Sequence, residues 1–286
     1  MSATATETTA NTQNVQLEAH QKPTVTYTDI LQEALTKPGT LNAAYVAFHN
    51  YSLSNQILAA MQLAARGLPL APIASFNGWK DKGRYVKKGE KAISLFMPVS
   101  VKRKPAKGEA AADEDEDGIF NVFMLRANWF SVDQTEGTDF APEVESPAWD
   151  AATALAALGI VEEPFEMLSG NTQGYAKAGV IAISPLNPLK HKTRFHELAH
   201  NVLGHTLEAT MTDSEHTPRD IREVEAESVA YILCTLLNLP GQAESRHYIQ
   251  GWLAGQELPE KSAKKIFGAA DRIMKAGQPA VLAIRQ

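Results

Sequence analysis

Ten residues, Phe195-His196-Glu197-Leu198-Ala199-His200-Asn201-Val202-Leu203-Gly204, constrain this chain more than any other segment. Phe195, Leu198, Ala199, Val202 and Leu203 recur at helical spacing and Gly204 suits a helix end, so the segment reads as an amphipathic helix with one buried stripe. Positions four apart on a helix project from one face, which lets His196 and His200 grip one ion while Glu197 lies beside it. Histidines that merely border a core would have no need of this spacing. Zinc held by three protein ligands keeps a position open for water, lowers that water's pKa to about 7, and leaves a nearby carboxylate to take the proton. Glu197 is the expected catalytic residue and zinc, or another divalent ion, the expected cofactor.

The third ligand must come from elsewhere. A histidine in the metzincin pattern would fall at Thr206, and the order Gly204-His205 also departs from that pattern, which makes His205 a poor choice. A glutamate on a following helix fits better. Thr217-Pro218-Arg219-Asp220 reads as a helix start, with Thr217 as N-cap, Pro218 at the first helical position and Asp220 as the capping-box acid. From there the helix is expected to run to about Asn238, apolar on most sides after Ala226, which marks a buried element. Glu223 and Glu227 share one of its faces, and a carboxylate turned toward a core needs a metal or a metal-bound histidine as partner. Glu223 is expected on the metal and Glu227 orienting a ligand, with the two exchangeable; as first-turn acids favoured by the helix dipole, Glu223, Glu225 and Glu227 would need neither role. Upstream, Gly174 to Ser184 reads as a short strand that could accept an extended peptide as one more strand, which would make the substrate a protein.

At 286 residues and 44% hydrophobic composition the chain can bury a sizeable core and suits two domains better than one. Its one cysteine, Cys234, excludes an internal disulfide and fits a reducing cytoplasm. No run of about 18 apolar residues exists, so no membrane span is expected. Residues 1–24, rich in Thr, Ala and Gln and lacking a basic start or apolar signal core, read as a disordered tail.

The net charge of −6 hides an uneven distribution. Phe76 to Lys104 holds nine basic residues against two acidic ones, a local charge of +7. Acid gathers instead in Glu109 to Asp117, within a 105–118 stretch that reads as a solvated loop between two strands. From about Thr28 to Arg66 the pattern is helical; Ala92 to Val101, Ile119 to Leu125 and Trp129 to Val132 read as strands. Phe76, Trp79, Tyr85 and Phe96 are interleaved with the lysines, an arrangement that can stack unpaired bases while following their phosphates. The residues expected at a nucleic-acid surface are Trp79, Lys80, Lys82, Arg84, Tyr85, Lys87, Lys88 and Lys91. A core role for the aromatics beneath a soluble lysine face is the competing reading, and composition alone favours it.

These residues carry a family likeness. Trp79-Lys80, Gly83, Val86, Lys88-Gly89-Glu90-Lys91 and Val132-Asp133-Gln134-Thr135-Glu136-Gly137, with Asn55-Gln56-Ile57 on the preceding helix, resemble the amino-terminal domain of the ArdC antirestriction proteins of conjugative plasmids. The carboxy-terminal half, through His196 to His200, Gly204-His205, Glu223, Ala226-Glu227, Tyr248-Ile249 and Trp252-Leu253, resembles the zincin-like metallopeptidase domain of the same family. The resemblance covers roughly residues 27 to 276. It implies single-stranded DNA as partner, a host restriction-related protein as substrate or partner, and protection of incoming plasmid DNA during conjugation. The expected fold is α+β in two domains: a small antiparallel-sheet-plus-helices DNA-binding domain over 25–137 and a mostly helical zincin-like domain over 166–286, joined by a connecting region at 138–165. Two alternatives stay open: a protective DNA-binding protein whose metal serves structure or partner recognition and cleaves nothing, and a peptidase with no nucleic-acid role.

Overall fold

The computed structural model describes residues 25–37, 39–102, 119–141, 148–166, 172–208, 217–253 and 258–278. The expected tail over 1–24 and the acidic loop over 105–118 lie outside the described residues. The fold is α+β, with ten α-helices and small, mostly antiparallel sheets among the described residues.

The amino-terminal helical stretch is three helices rather than one: α1 (Tyr27–Thr36), α2 (Thr40–Phe48) and α3 (Leu53–Ala65). Gly39, in the left-handed region at φ 82°, starts α2 on a new axis. A capping box opens α1: Thr26 accepts from the Asp29 backbone N–H at 3.1 Å and the Asp29 carboxylate accepts from the Thr26 N–H at 2.9 Å.

A three-stranded antiparallel sheet follows, ordered β1 (Ile73–Ser75), β4 (Ile119–Ser131), β3 (Ile93–Lys102). Ile119 to Ser131 is one continuous strand, where the sequence suggested two. Arg126-Ala127-Asn128 read as a break because the residues are not apolar, yet Arg126 and Ala127 keep their places in the ladder opposite Leu95 and Ser94. The outer edge of β3 has no strand beside it among the described residues. Side-chain amides of α3 occupy that place: Asn55 accepts from the Phe96 N–H at 2.8 Å and donates to the Phe96 carbonyl at 3.0 Å, and Gln62 does the same at Ser94 at 2.9 and 2.8 Å. Two residues beyond Phe96 comes Pro98, which has no N–H to satisfy. Helix α4 (Phe76–Asp81) and the small antiparallel pair β2 (Arg84–Val86) and β5 (Thr135–Gly137) complete this half.

Within 138–165 the chain forms α5 (Ala151–Leu158) and β6 (Val161–Glu162). β6 runs parallel to β8 (Val180–Ile183), and β8 pairs antiparallel with β7 (Gly174–Lys177), giving the order β6-β8-β7 with β7 at an edge. The single strand expected over 174–184 is therefore a hairpin, turned at Ala178-Gly179, where Gly179 adopts φ 73°. The rest is helical: α6 (Lys190–Val202), α7 (His205–Glu208), α8 (Arg219–Leu236), α9 (Gln242–Leu253) and α10 (Glu260–Ala276). α8 begins one residue later than expected, with Pro218 itself in the N-cap position, and is buried from Val224 to Cys234.

One apolar core spans both halves. Ile30, Leu31 and Leu35 of α1 and Leu53, Ile57 and Leu58 of α3 belong to the same cluster as Phe195 and Leu198 of α6, Val229 to Leu233 of α8, and Ile266, Phe267 and Ile273 of α10. Helix α10 also supplies acids to the open N-termini of two amino-terminal helices. Glu260 accepts from the Tyr27 and Thr28 N–H groups at 2.7 and 2.9 Å, and Asp271 accepts from the Leu53 N–H at 3.1 Å. Sheet β1-β4-β3 packs a second, smaller cluster against α2 and α3 through Phe48, Leu63, Ile93, Leu95 and Trp129.

Candidate metal centre

α6 buries Phe195, Leu198 and Ala199 in the shared core, which turns His196, Glu197 and His200 toward α8 and the β7 edge. Its start is set by Asn187, whose side chain accepts from the Leu189 N–H and donates to Thr193 Oγ1, both at 2.7 Å. From α8, Glu223 enters the space faced by both histidines. The ligand atoms of His196, His200 and Glu223 all lie within 4.8 Å of one another. His196 Nε2 is 3.1 Å from His200 Nε2, and Glu223 Oε2 is 3.4 Å from the first and 3.8 Å from the second. A triangle with these edges has a centre about 2 Å from each corner, which matches the zinc-to-nitrogen and zinc-to-oxygen bond lengths of about 2.0–2.2 Å.

The electrostatics fit a cation as well as the distances do. Two facing imidazole nitrogens at 3.1 Å repel unless a proton or an ion sits between them. Burial opposes charge on His196, but bonds with Glu223 and Glu227 and the nearby Glu197 outweigh it and raise its pKa to about 9. Bonds with His196 and His200 hold Glu223 well below the usual carboxylate range. Burial works against the Glu227 carboxylate too, yet His196 and Lys192 keep it low. The cluster draws in positive charge, and its two-nitrogen, one-carboxylate donor set is one that divalent metals use.

Glu223 and Glu227, exchangeable in the sequence, occupy different places here. Glu223 faces the two Nε2 atoms, whereas Glu227 lies behind His196, accepting from its Nδ1 at 2.9 Å and pairing with Lys192 Nζ at 2.7 Å. Glu197 is buried beside the cluster. Burial pushes its carboxyl up to about 7, with His196 pulling down and Glu223 pushing up. Gly174 of β7 leaves it room: a Cβ there would meet Thr193 Cγ2 at 2.6 Å, the Ala182 carbonyl at 3.0 Å and Glu197 Oε1 at 3.1 Å. The whole arrangement lines an open cavity of about 1090 Å³, walled along one side by residues 172–178, which include the β7 edge.

Behind His200 lies a pair that the sequence reading passed over. His205 Nδ1 is 3.0 Å from His200 Nδ1, and His205 Nε2 is 2.8 Å from Glu225 Oε2, with His205 3% and Glu225 0% exposed. Burial would raise the Glu225 carboxyl, but His205 and Ser262 hold it below the usual range. The one available signal was Gly204-His205, which registers as a departure from a known pattern and gives no direction.

Residues 11–130 match the family profile described as the N-terminal domain of anti-restriction factor ArdC. The amino-terminal part of this chain thus carries an ArdC-type domain. Its fold is similar to the crystal structure of the antirestriction ArdC protein from plasmid R388 in its Mn(II)-bound form, with a TM-score of 0.53 at 20% identity over 88% of this chain and 96% of that one. The metal-free structure of the same protein aligns with a TM-score of 0.48 at 21% identity over 88% and 94%. An uncharacterized protein of Bacillus anthracis, pXO2-81, is 25% identical over 75% of this chain; the chain spans less than half, 43%, of that relative's length.

In the ArdC amino-terminal domain the surface expected to meet nucleic acid is only partly as the sequence suggested. Trp79 is 1% exposed, and its indole N–H donates to the Phe130 carbonyl at 2.7 Å, so it belongs to the core with Phe130 and Phe140 and cannot stack a base. Phe96 is likewise occupied, stacked on Tyr27 at 4.5 Å. Arg84 is spent on structure, its guanidinium bonding Thr135 and the Thr138 carbonyl, and Lys87 Nζ donates to the Asp133 carbonyl at 2.9 Å. Lys80, Lys82, Lys88 and Lys91 are exposed, together with Tyr85 at 60% and, next along α4, Phe76 at 51%. Among the described residues no helix is long and apolar enough to cross a membrane.

Proposed function

We propose that this protein binds single-stranded DNA with its amino-terminal half and hydrolyses peptide bonds with its carboxy-terminal half, protecting incoming plasmid DNA from host restriction. The observation that carries the reading is the convergence of His196, His200 and Glu223 beside a buried Glu197 in an open cavity. His196, His200 and Glu223 would hold a divalent ion, zinc by donor chemistry. When bound, such an ion supplies Lewis acidity toward a carbonyl oxygen and toward water.

The remaining work falls to the chain's own residues. Glu197, with a carboxyl near neutral titration, takes a proton from the attacking water and returns it to the leaving amine. Glu227 orients His196 through Nδ1 and is itself fixed by Lys192. The β7 edge along the cavity offers main-chain groups to an extended polypeptide, which suits an unfolded or loop segment of a restriction-related protein. On the DNA side, exposed Phe76 and Tyr85 offer rings to unpaired bases while Lys80, Lys82, Lys88 and Lys91 meet phosphates. The name of the R388 relative, an antirestriction protein crystallised with Mn(II), supports both the role and a divalent ion.

Paired assays on the full chain and its Glu197→Gln variant test this. The parent is expected to bind single strands and to cleave an unfolded protein; the variant should keep metal and DNA binding and lose cleavage. If the two protect incoming DNA equally in a conjugation assay, proteolysis is not the protective step. Metal content unchanged in His196→Ala/His200→Ala would remove the metal assignment itself.

A further inference from the structure

We infer that His205 and Glu225 are positioning residues of the metal centre, fixing His200 through a two-step hydrogen-bond chain that mirrors the direct hold of Glu227 on His196. The inference rests on the reading of His196, His200 and Glu223 as ligands. Proton bookkeeping supports it. With Nε2 given to an ion in the cluster, His200 would carry its proton on Nδ1 and donate to His205 Nδ1, 3.0 Å away. His205, accepting there, then carries its own proton on Nε2 and donates to Glu225 Oε2 at 2.8 Å. Each ring holds one proton and each bond has one donor. His196 reaches the same state in a single step, donating from Nδ1 to Glu227 at 2.9 Å. Both histidines are thus set as the same tautomer by carboxylates of one helix, α8, the side chain at 227 touching directly and the one at 225 acting through an inserted imidazole.

The local structure is arranged for this chain. Gly204 at φ 83° reverses the backbone after α6 and folds His205 back against His200, with ring centroids 5.1 Å apart. Arg222 of α8 donates to the His205 carbonyl at 3.3 Å and steadies that turn. Stability alone does not account for the pair. Glu225 is wholly buried with its second oxygen lacking a close bond, and a buried ionic or polar pair of this kind is commonly no better for folding than apolar side chains of the same volume. Its benefit lies in the aim and basicity of His200, and outer partners of metal-bound histidines are worth about 10–100-fold in metal affinity.

The test is Zn²⁺ and Mn²⁺ affinity measured by competition titration on the full chain, alongside melting of the metal-free protein. Four proteins are compared: the parent, Glu223→Ala, the isosteric Glu225→Gln, and the double variant His205→Leu/Glu225→Met, which removes both partners together. Glu225→Gln is expected to weaken binding about 10-fold and the double variant about 100-fold, while the double variant melts without metal close to the parent. The Co²⁺-substituted double variant should also show a changed visible d–d spectrum, which a loss of fold stability alone would not produce. Parent-like affinity in Glu225→Gln or in a folded double variant overturns the inference; should the double variant fail to fold, Glu225→Gln decides. If Glu223→Ala binds metal as well as the parent, the ligand assignment fails instead, and the two failures are told apart.

Discussion

Replacing Asn55 by alanine removes a side chain that stands in for a missing strand. Its amide makes two bonds to the backbone of Phe96, at 2.8 and 3.0 Å, on the side of β3 that faces away from β4. Asn55 is buried, so Asn55→Ala leaves one backbone donor and one acceptor with little water to replace the lost partner. Each bond contributes about 1 kcal/mol net, and each buried group stranded without a partner costs about 1–3 kcal/mol, partly relieved because β3 is an edge. The sum expected is about 3 kcal/mol, or about 6–12 °C in melting temperature for a chain of this size. Urea unfolding followed by far-ultraviolet circular dichroism measures it. Asn55→Asp keeps the acceptor for the Phe96 N–H but loses the donor, and should fall between parent and alanine. Gln62→Ala, at a half-buried position with the same pattern at Ser94, should cost less than Asn55→Ala. A loss under about 0.5 kcal/mol for Asn55→Ala would refute the idea that α3 amides complete the sheet.

Other outcomes follow from the site and the core. Gly174→Ala should drive a methyl into the Ala182 carbonyl and Glu197 Oε1, lowering peptide hydrolysis at least about 10-fold with metal content retained; parent-like turnover would show that Glu197 needs no such clearance. Burial raises the Asp271 carboxyl from 3.8 to about 6 against its bond to the Leu53 N–H. Because the folded value lies above the unfolded one, its contribution is fully present below about pH 3.8 and lost as pH rises through about 6. The stability of Asp271→Asn relative to the parent should therefore rise by about 2 kcal/mol between pH 4 and pH 7, and a difference flat in pH would contradict this. Replacing Lys80, Lys82, Lys88 and Lys91 together should weaken single-strand binding and flatten its dependence on salt. Trp79→Ala, by contrast, should destabilise the fold by about 3–5 kcal/mol as a core deletion; a stably folded Trp79→Ala that loses only DNA binding would return Trp79 to the surface.

What the sequence made legible was local in the chain. His196, Glu197 and His200 stand out because helical geometry alone brings four-residue neighbours to one face. The choice between Glu223 and Glu227 depends on how α8 docks against α6, and no spacing within α8 encodes that. His205 and Glu225 were invisible for the same reason, since they meet only when a left-handed Gly204 and a helix twenty residues on converge. Trp79 misled because interleaved lysines and aromatics have one composition whether the rings face inward or outward. The Thr28–Arg66 periodicity was real, but three helices share it, and apolar spacing does not report where Gly39 and the Tyr51-Ser52 link change the axis.

The acids that α10 lends to the amino-terminal helices have a consequence for the order of events during synthesis. The carboxylate that covers the Tyr27 N–H is made 233 residues after it, and Leu53 waits 218 residues for Asp271. Until α10 emerges, the apolar faces of α1 and α3 have no completed site to occupy, so a nascent chain stays open to association with other chains until that helix is made. Fragments that end before α10 should collect as aggregates or chaperone clients, and a premature stop just ahead of α10 should silence the amino-terminal half as surely as one just after α3.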